Sequence, residues 1–89
     1  MQRYRHLAWN QQNIGHIARH HVTPDEVEQA VFSQSCLKRK GRGDGIYYIL
    51  GKTDSGRYLF IVLRDWGAGT ALPITARDMS ESEKKLCKG

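Results

Sequence analysis

The chain is poor in several residues and patterns that would have marked it as one of the commoner protein types. It has two cysteines and two prolines in 89 residues. Cys36 and Cys87 lie far apart with no C-x-x-C spacing, which leaves no basis for a zinc ribbon or a dithiol redox motif. No apolar run approaches the roughly 20 residues needed to span a bilayer. The basic start, Met1 to His6, is not followed by the apolar core of a secretory signal, so a cytoplasmic location without membrane contact is expected. In that compartment a disulfide between the two cysteines is not expected. Acids are scarce, 9 Asp and Glu against 14 Lys and Arg, and they form no cluster suited to hard divalent ions, so neither a metal nor another cofactor is predicted. Repeats and low-complexity linkers are absent, which leaves one domain over residues 1–89.

What is present is the composition of a small folded domain: 39% hydrophobic and 26% charged residues, with a net charge of +5. The charge is uneven. Lys38, Arg39, Lys40 and Arg42 fall within five positions, and the glycines at 41, 43 and 45 make Lys38 to Gly45 read as an exposed basic loop. Such a cluster favours an anionic partner, most simply nucleic acid.

The periodicity predicts α+β architecture. Arg3 to Trp9 alternates weakly, as a short edge strand would. Asn10 can cap a helix whose face is Ile14, Ile17, Ala18 and His21. Thr23-Pro24-Asp25-Glu26 is a capping box with proline at the first helical position, opening a second helix to about Phe32 with Val27, Ala30 and Val31 buried. Ile46 to Leu50 and Tyr58 to Leu63 read as a hairpin, the latter an apolar run fit for a strand covered on both faces. Ala71 to Arg77 is a further strand, edge or bulged at Pro73, with Leu72, Ile74 and Ala76 on one face. Ser80 and Glu83 cap a short last helix. The expected fold is an antiparallel sheet of about four strands, with two N-terminal helices on one face and a short C-terminal helix.

Trp9-Asn10, Arg19-His20-His21-Val22, Asp25 to Phe32, Gly56 to Leu63, and Ile74 to Met79 with Glu83-Lys84 together resemble stretches of the BrnT family of bacterial toxins. Trp9-Asn10 is similar to the family's W-D, and Arg19-His20-His21-Val22 to its K-H-G-V. Asp25 to Phe32 matches the acidic second helix, Gly56 to Leu63 the G-R-x-L-F-V-V strand, and Ile74 to Met79 with Glu83-Lys84 the I-S-A-R segment and following E-R. The similarity runs from about Leu7 to Lys85, with His21 at a glycine position, Arg19 for lysine and Lys84 for arginine. A left-handed His21 would cost about 1 kcal/mol relative to glycine. The resemblance implies a RelE-like fold and an endoribonuclease held inactive by an antitoxin of the ribbon-helix-helix type. Possible assemblies are a homo-oligomer or a toxin–antitoxin heterotetramer.

Metal-independent RNA cleavage needs a base for the 2′-hydroxyl, cations for the phosphorane and an acid for the leaving oxygen. The catalytic candidates are Arg77, which ends a strand and matches the family's arginine, Arg64, fit to hold phosphate bidentately, and His20, whose ordinary pKa near 6.5 suits proton transfer. Lys38, Arg39, Lys40, Arg42, Lys52 and Arg57 are candidates for RNA phosphate contacts. Tyr47, Tyr48 and Trp66 are candidates for base stacking. A bland role competes for each catalytic candidate: Arg77 can pair with Asp78, Glu81 or Glu83 and only anchor the last helix, Arg64 can bridge to Asp65 or Asp44, and His20 can cap its own helix; Arg57, like Arg77, can hold Glu83. The rival to the enzyme is a non-catalytic RNA-binding or protein-interaction module of the same fold.

Overall fold

The computed structural model describes residues 4–33 and 35–88. Its elements are β1 (His6–Leu7), α1 (Gln11–Ala18), α2 (Pro24–Glu28) running into a π-helical turn (Gln29–Ser33), β2 (Ser35–Lys40), β3 (Ile46–Lys52), β4 (Tyr58–Gly67), β5 (Thr70–Asp78) and α3 (Glu81–Lys88). The sheet has five strands in the order β1-β5-β4-β3-β2, and β1 runs parallel to β5 while the other pairs are antiparallel. The fold is therefore α+β as expected, but the sheet is mixed and one strand larger. Of the predicted first strand, only His6–Leu7 is strand, and Arg3 lies outside the described residues.

The extra strand is β2, which takes Lys38, Arg39 and Lys40 out of the predicted loop. Cations on an edge strand discourage pairing with a further chain, so a charge run that reads as a loop is compatible with a sheet edge. Only residues 41–45 remain as the turn.

Paired residues on neighbouring strands share a face, and the register divides the sheet cleanly. One face carries Ile49 of β3, Leu59, Ile61 and Leu63 of β4, and Ala71, Pro73 and Ala76 of β5. These pack with Leu7, Ile17, Val22, Val27 and Ala30 as the core. Leu59, Ile61 and Leu63 are wholly buried, whereas Phe60 and Val62 between them are half-buried. The central strand is thus closed on one face only. On β5 the register slips so that Ile74 has no partner. That bulge sends Pro73 and Ala76 to the core face and Thr75 and Arg77 to the other, in place of the predicted Leu72, Ile74 and Ala76 stripe.

Local chemistry fixes the helices. Asn10 and Asn13 form a reciprocal capping box at α1. Asn13 is buried, and its amide nitrogen donates to the carbonyls of Ala8 at 2.9 Å and Pro73 at 3.1 Å. A polar residue therefore shares α1's inner face with Ile17, and Ile14, expected inside, is 40% exposed. α1 stops at a left-handed His21 with φ 58°. The Thr23 capping box forms as predicted: Glu26 N–H donates to Thr23 Oγ1 at 3.2 Å, and Thr23 N–H to Glu26 Oε1 at 3.0 Å. Gly51 lets the π-helical turn lie directly on β3, since a β-carbon there would collide with the Ala30 carbonyl.

Arg57 joins these parts. Its guanidinium donates to Asp78 Oδ1 at 2.7 Å, the His21 carbonyl at 2.7 Å, the His20 carbonyl at 3.1 Å and both Glu26 oxygens at 3.2 Å. It thereby ties the end of α1, the start of α2 and the end of β5. Arg57→Ala should destabilise the fold by about 2 kcal/mol or more, because it strands two carbonyls and two carboxylates. Arg57→Lys should recover little of that, since an ammonium lacks the planar fork; urea unfolding of both variants checks this.

The cysteines correct the expectation of unpaired thiols. Cys36 and Cys87 form a disulfide with Cα atoms 5.4 Å apart. A bulge makes it reachable, because Ser35 and Leu37 pair with Gly51 and Leu50 and leave Cys36 between them without a partner. The bridge links the edge strand to α3, none of whose residues is buried. Reduction, or Ser at both positions, should lower stability by about 4 kcal/mol on the loop-entropy account, read as a fall in the urea midpoint under dithiol.

Candidate functional site

The second face of the sheet is the candidate nucleic-acid interface. Three cross-strand rows build it: Leu37, Leu50, Phe60 and Arg77; then Arg39, Tyr48, Val62 and Thr75; then Ile46, Arg64 and Leu72. Tyr48 and Phe60 lie diagonally, ring centroids 5.2 Å apart and tilted by 48°. Gly41 leaves room for the Tyr48 ring, from which a β-carbon would stand only 2.7 Å. The face therefore offers a half-buried aromatic pair with arginines at its margins. That combination can stack bases while cations meet phosphates. α3 covers one end, held by the disulfide and by Lys88 over the Tyr58 ring at 5.4 Å.

The three catalytic candidates are not brought together. Arg77 is on this face, but its guanidinium is engaged: it donates to both Glu83 oxygens at 2.9 Å and to the Asp78 carbonyl at 2.9 Å, and lies 4.2 Å from the Phe60 ring centroid. Glu83 holds the last helix through Arg77. Arg64 is exposed, and its guanidinium makes no hydrogen bond or ion pair with the described residues. It lines an open groove of about 450 Å³ with Asn10, Gln12, Asn13 and His16 of the α1 end, and Leu72, Pro73 and Ile74 of β5. His20 is in the turn after α1, exposed, with its carbonyl on Arg57 and its ring 6.3 Å from that of His16. The histidine that shares Arg64's groove is His16. His16 was not among the catalytic candidates, because what brings it to Arg64 is the long-range bond of Asn13 to Pro73, which holds α1 on β5.

The phosphate-contact candidates divide between the faces. Arg39 is exposed on the aromatic face. Lys38 points to the opposite side, 4.5 Å from the Tyr4 ring centroid and 4.8 Å from that of Tyr47, and Lys40 alternates with Arg39 onto that side. Arg42 is in the turn, its N–H 3.4 Å from Tyr48 Oη. Lys52 lies beside Tyr58 at the end covered by α3. Arg57 is held by its five intramolecular contacts. Trp66 is 58% exposed at a bulge of β4.

Two carboxylates next to these arginines are perturbed. Arg77's hydrogen bonds hold the Glu83 carboxyl below its usual range, with the Ser80 backbone N–H assisting. Arg57's hydrogen bond does the same for Asp78. Burial pushes the Tyr4 phenol up to about 12, with Asp65 and Tyr47 adding to the shift; its hydroxyl is buried with no hydrogen-bond partner among the described residues.

No protein-family model matches the chain, and comparisons with curated proteins and with solved structures return no match. No helix among the described residues is long and apolar enough to cross a membrane.

The lowered carboxyls set a pH dependence. The native chain binds fewer protons than the unfolded one in the acid range, so the contribution of Glu83 and Asp78 is complete above the ordinary carboxylate pKa values, near 4, and is lost as pH falls through the lower folded values. Urea midpoints should therefore drop between pH 6 and about pH 3. Arg77→Gln should shallow that drop by removing Glu83's share.

Proposed function

We propose that the chain is a toxin-type endoribonuclease like those it resembles in the BrnT family. It takes unstructured RNA on the open sheet face and cleaves it without a metal. The observation that carries the reading is the half-buried Tyr48–Phe60 pair framed by Arg39 and Arg64, an aromatic and cationic surface on a sheet otherwise closed by its helices. Arg64 is the cation available for the phosphorane charge, since it is exposed and free of partners among the described residues. A ribbon-helix-helix antitoxin is the partner that goes with this reading, in a complex such as a heterotetramer. Its mode of control would be to deny RNA the open face.

A second reading has its own observation. Arg77, the strongest catalytic candidate by resemblance, is clamped on Glu83, and His20 sits beside Arg57's network rather than in Arg64's groove. This favours a protein that binds RNA on the same face and does not cut it.

One assay separates the two. Unstructured RNA incubated with the protein, with and without a chelator, should yield fragments ending in 2′,3′-cyclic phosphate at equal rates. Arg64→Ala should lower that rate about 100-fold. Tyr48→Ala should weaken RNA binding about tenfold through lost stacking. Intact RNA with binding still sensitive to Tyr48 would establish the second reading, and RNA that neither binds nor is cut would end both.

A further inference from the structure

The groove between α1 and β5 differs chemically from the aromatic face it adjoins. Its walls are the side chains of Asn10, Gln12 and His16 on one side and Arg64 on the other, and Leu72, Pro73 and Ile74 line it from β5. No carboxylate of the described residues lines it. The cation at its lip has no partner among the described residues, whereas Arg57 and Arg77 are each tied to carboxylates. Asn13 is not available to a ligand, because its side chain already bonds Asn10, Ala8 and Pro73. It fixes the groove by holding α1 to the bulged strand.

From this geometry we infer that the groove is a nucleotide subsite: Arg64 and His16 take a phosphate, and a nucleobase lies against Leu72, Pro73 and Ile74. A volume of about 450 Å³ is within the range of small-ligand sites. The unpaired guanidinium selects an anion, and its planar fork suits phosphate oxygens. The apolar lining excludes inorganic phosphate as the whole ligand, since a bare anion would leave Leu72 and Ile74 uncovered. Gln12 and Asn10 supply the donors and acceptors that a base edge or a ribose hydroxyl needs. The inference rests on the RNA reading for its biological sense: the subsite would hold one nucleotide of a strand whose neighbours stack on Tyr48 and Phe60. It makes His16, not His20, the histidine that meets the phosphate.

The test is an NMR titration of the whole chain with adenosine 5′-monophosphate, with adenosine and inorganic phosphate as separate probes. The expected result is saturable shifts of the Leu72 and Ile74 methyl groups and the His16 ring with the nucleotide, and much weaker responses to either half alone. Arg64→Gln should weaken the nucleotide at least about tenfold, the loss of a charge-assisted bidentate contact. Ile74→Glu, at a position 37% exposed and so tolerant of change, should do the same. Lys85→Ala, on α3, serves as the control and should leave binding unaltered. Equal affinity for phosphate and nucleotide, or shifts confined to Tyr48 and Phe60, would overturn the subsite. Its failure is distinguishable from that of the RNA reading. RNA binding that depends on Tyr48 without a nucleotide response in the groove removes the subsite alone. A groove that binds the nucleotide in a chain that does not bind RNA removes the RNA reading alone.

Discussion

The structure depends most on one guanidinium. Arg57 stands just before the central strand and reaches acceptors from three other parts of the chain: the carbonyls that end α1, the carboxylate that caps α2, and Asp78 at the end of β5. Each acceptor on its own is a surface contact of modest worth. Together they fix where the two N-terminal helices sit, because the tight link from His21 to Thr23 has no buried side chain of its own apart from Val22. The His21 backbone is left-handed at that point. The same contact that offsets this conformational cost also orients its carbonyl toward Arg57.

Placing the two N-terminal helices on one face leaves the other covered only at one end, by α3. The apolar side chains of Leu59, Ile61 and Leu63 are fully covered, and the alternate residues of the same strand form the open face. What distinguishes the open face chemically is which arginines remain accessible. Arg57 and Arg77 have similar places at strand ends, yet both are consumed by carboxylates, while Arg64 and Arg39 are not. The division comes from the bulges as much as from the sequence. Were Ile74 paired in regular alternation, Thr75 and Arg77 would face the core side and α3 would have no Arg77–Glu83 anchor over this face.

Much of the fold was legible in the residues and much of the site was not. Thr23-Pro24-Asp25-Glu26 announced its helix because all its determinants are local, and Asn10 did so for the same reason. The apolar run from Tyr58 to Leu63 announced a central strand, but a continuous run cannot say which of its two faces is left half-open. β2 was hidden because Lys38, Arg39 and Lys40 have the composition of a loop, and only pairing with Ile49, Tyr48 and Tyr47 makes them a strand. Strict alternation gives the observed opposite facing of Tyr47 and Tyr48, where it is unbroken, but fails to place Leu72 and Ile74 relative to Ala76, where one extra residue intervenes. The division of roles among Arg57, Arg64 and Arg77 depends on partners 21 to 37 positions away for one of them. No local pattern encodes that. The disulfide was missed for a related reason: spacing carries no information about two cysteines that the sheet and α3 bring together.

That bridge gives the chain an unequal topology. From Cys36 to Cys87 the polypeptide is a closed ring containing four of the five strands and nearly all of α3, and it stays closed when the protein unfolds. A single backbone cut in the turn at 41–45 would leave one covalent molecule. Everything before Cys36 is an open arm that gains the full freedom of an unlinked chain when it detaches. Noncovalent contacts retain it, among them the pairing of β1 with β5, the core packing of Leu7, Ile17 and Val27, Asn13 on Pro73, Glu26 on Arg57, and the Ala30 turn seated on Gly51.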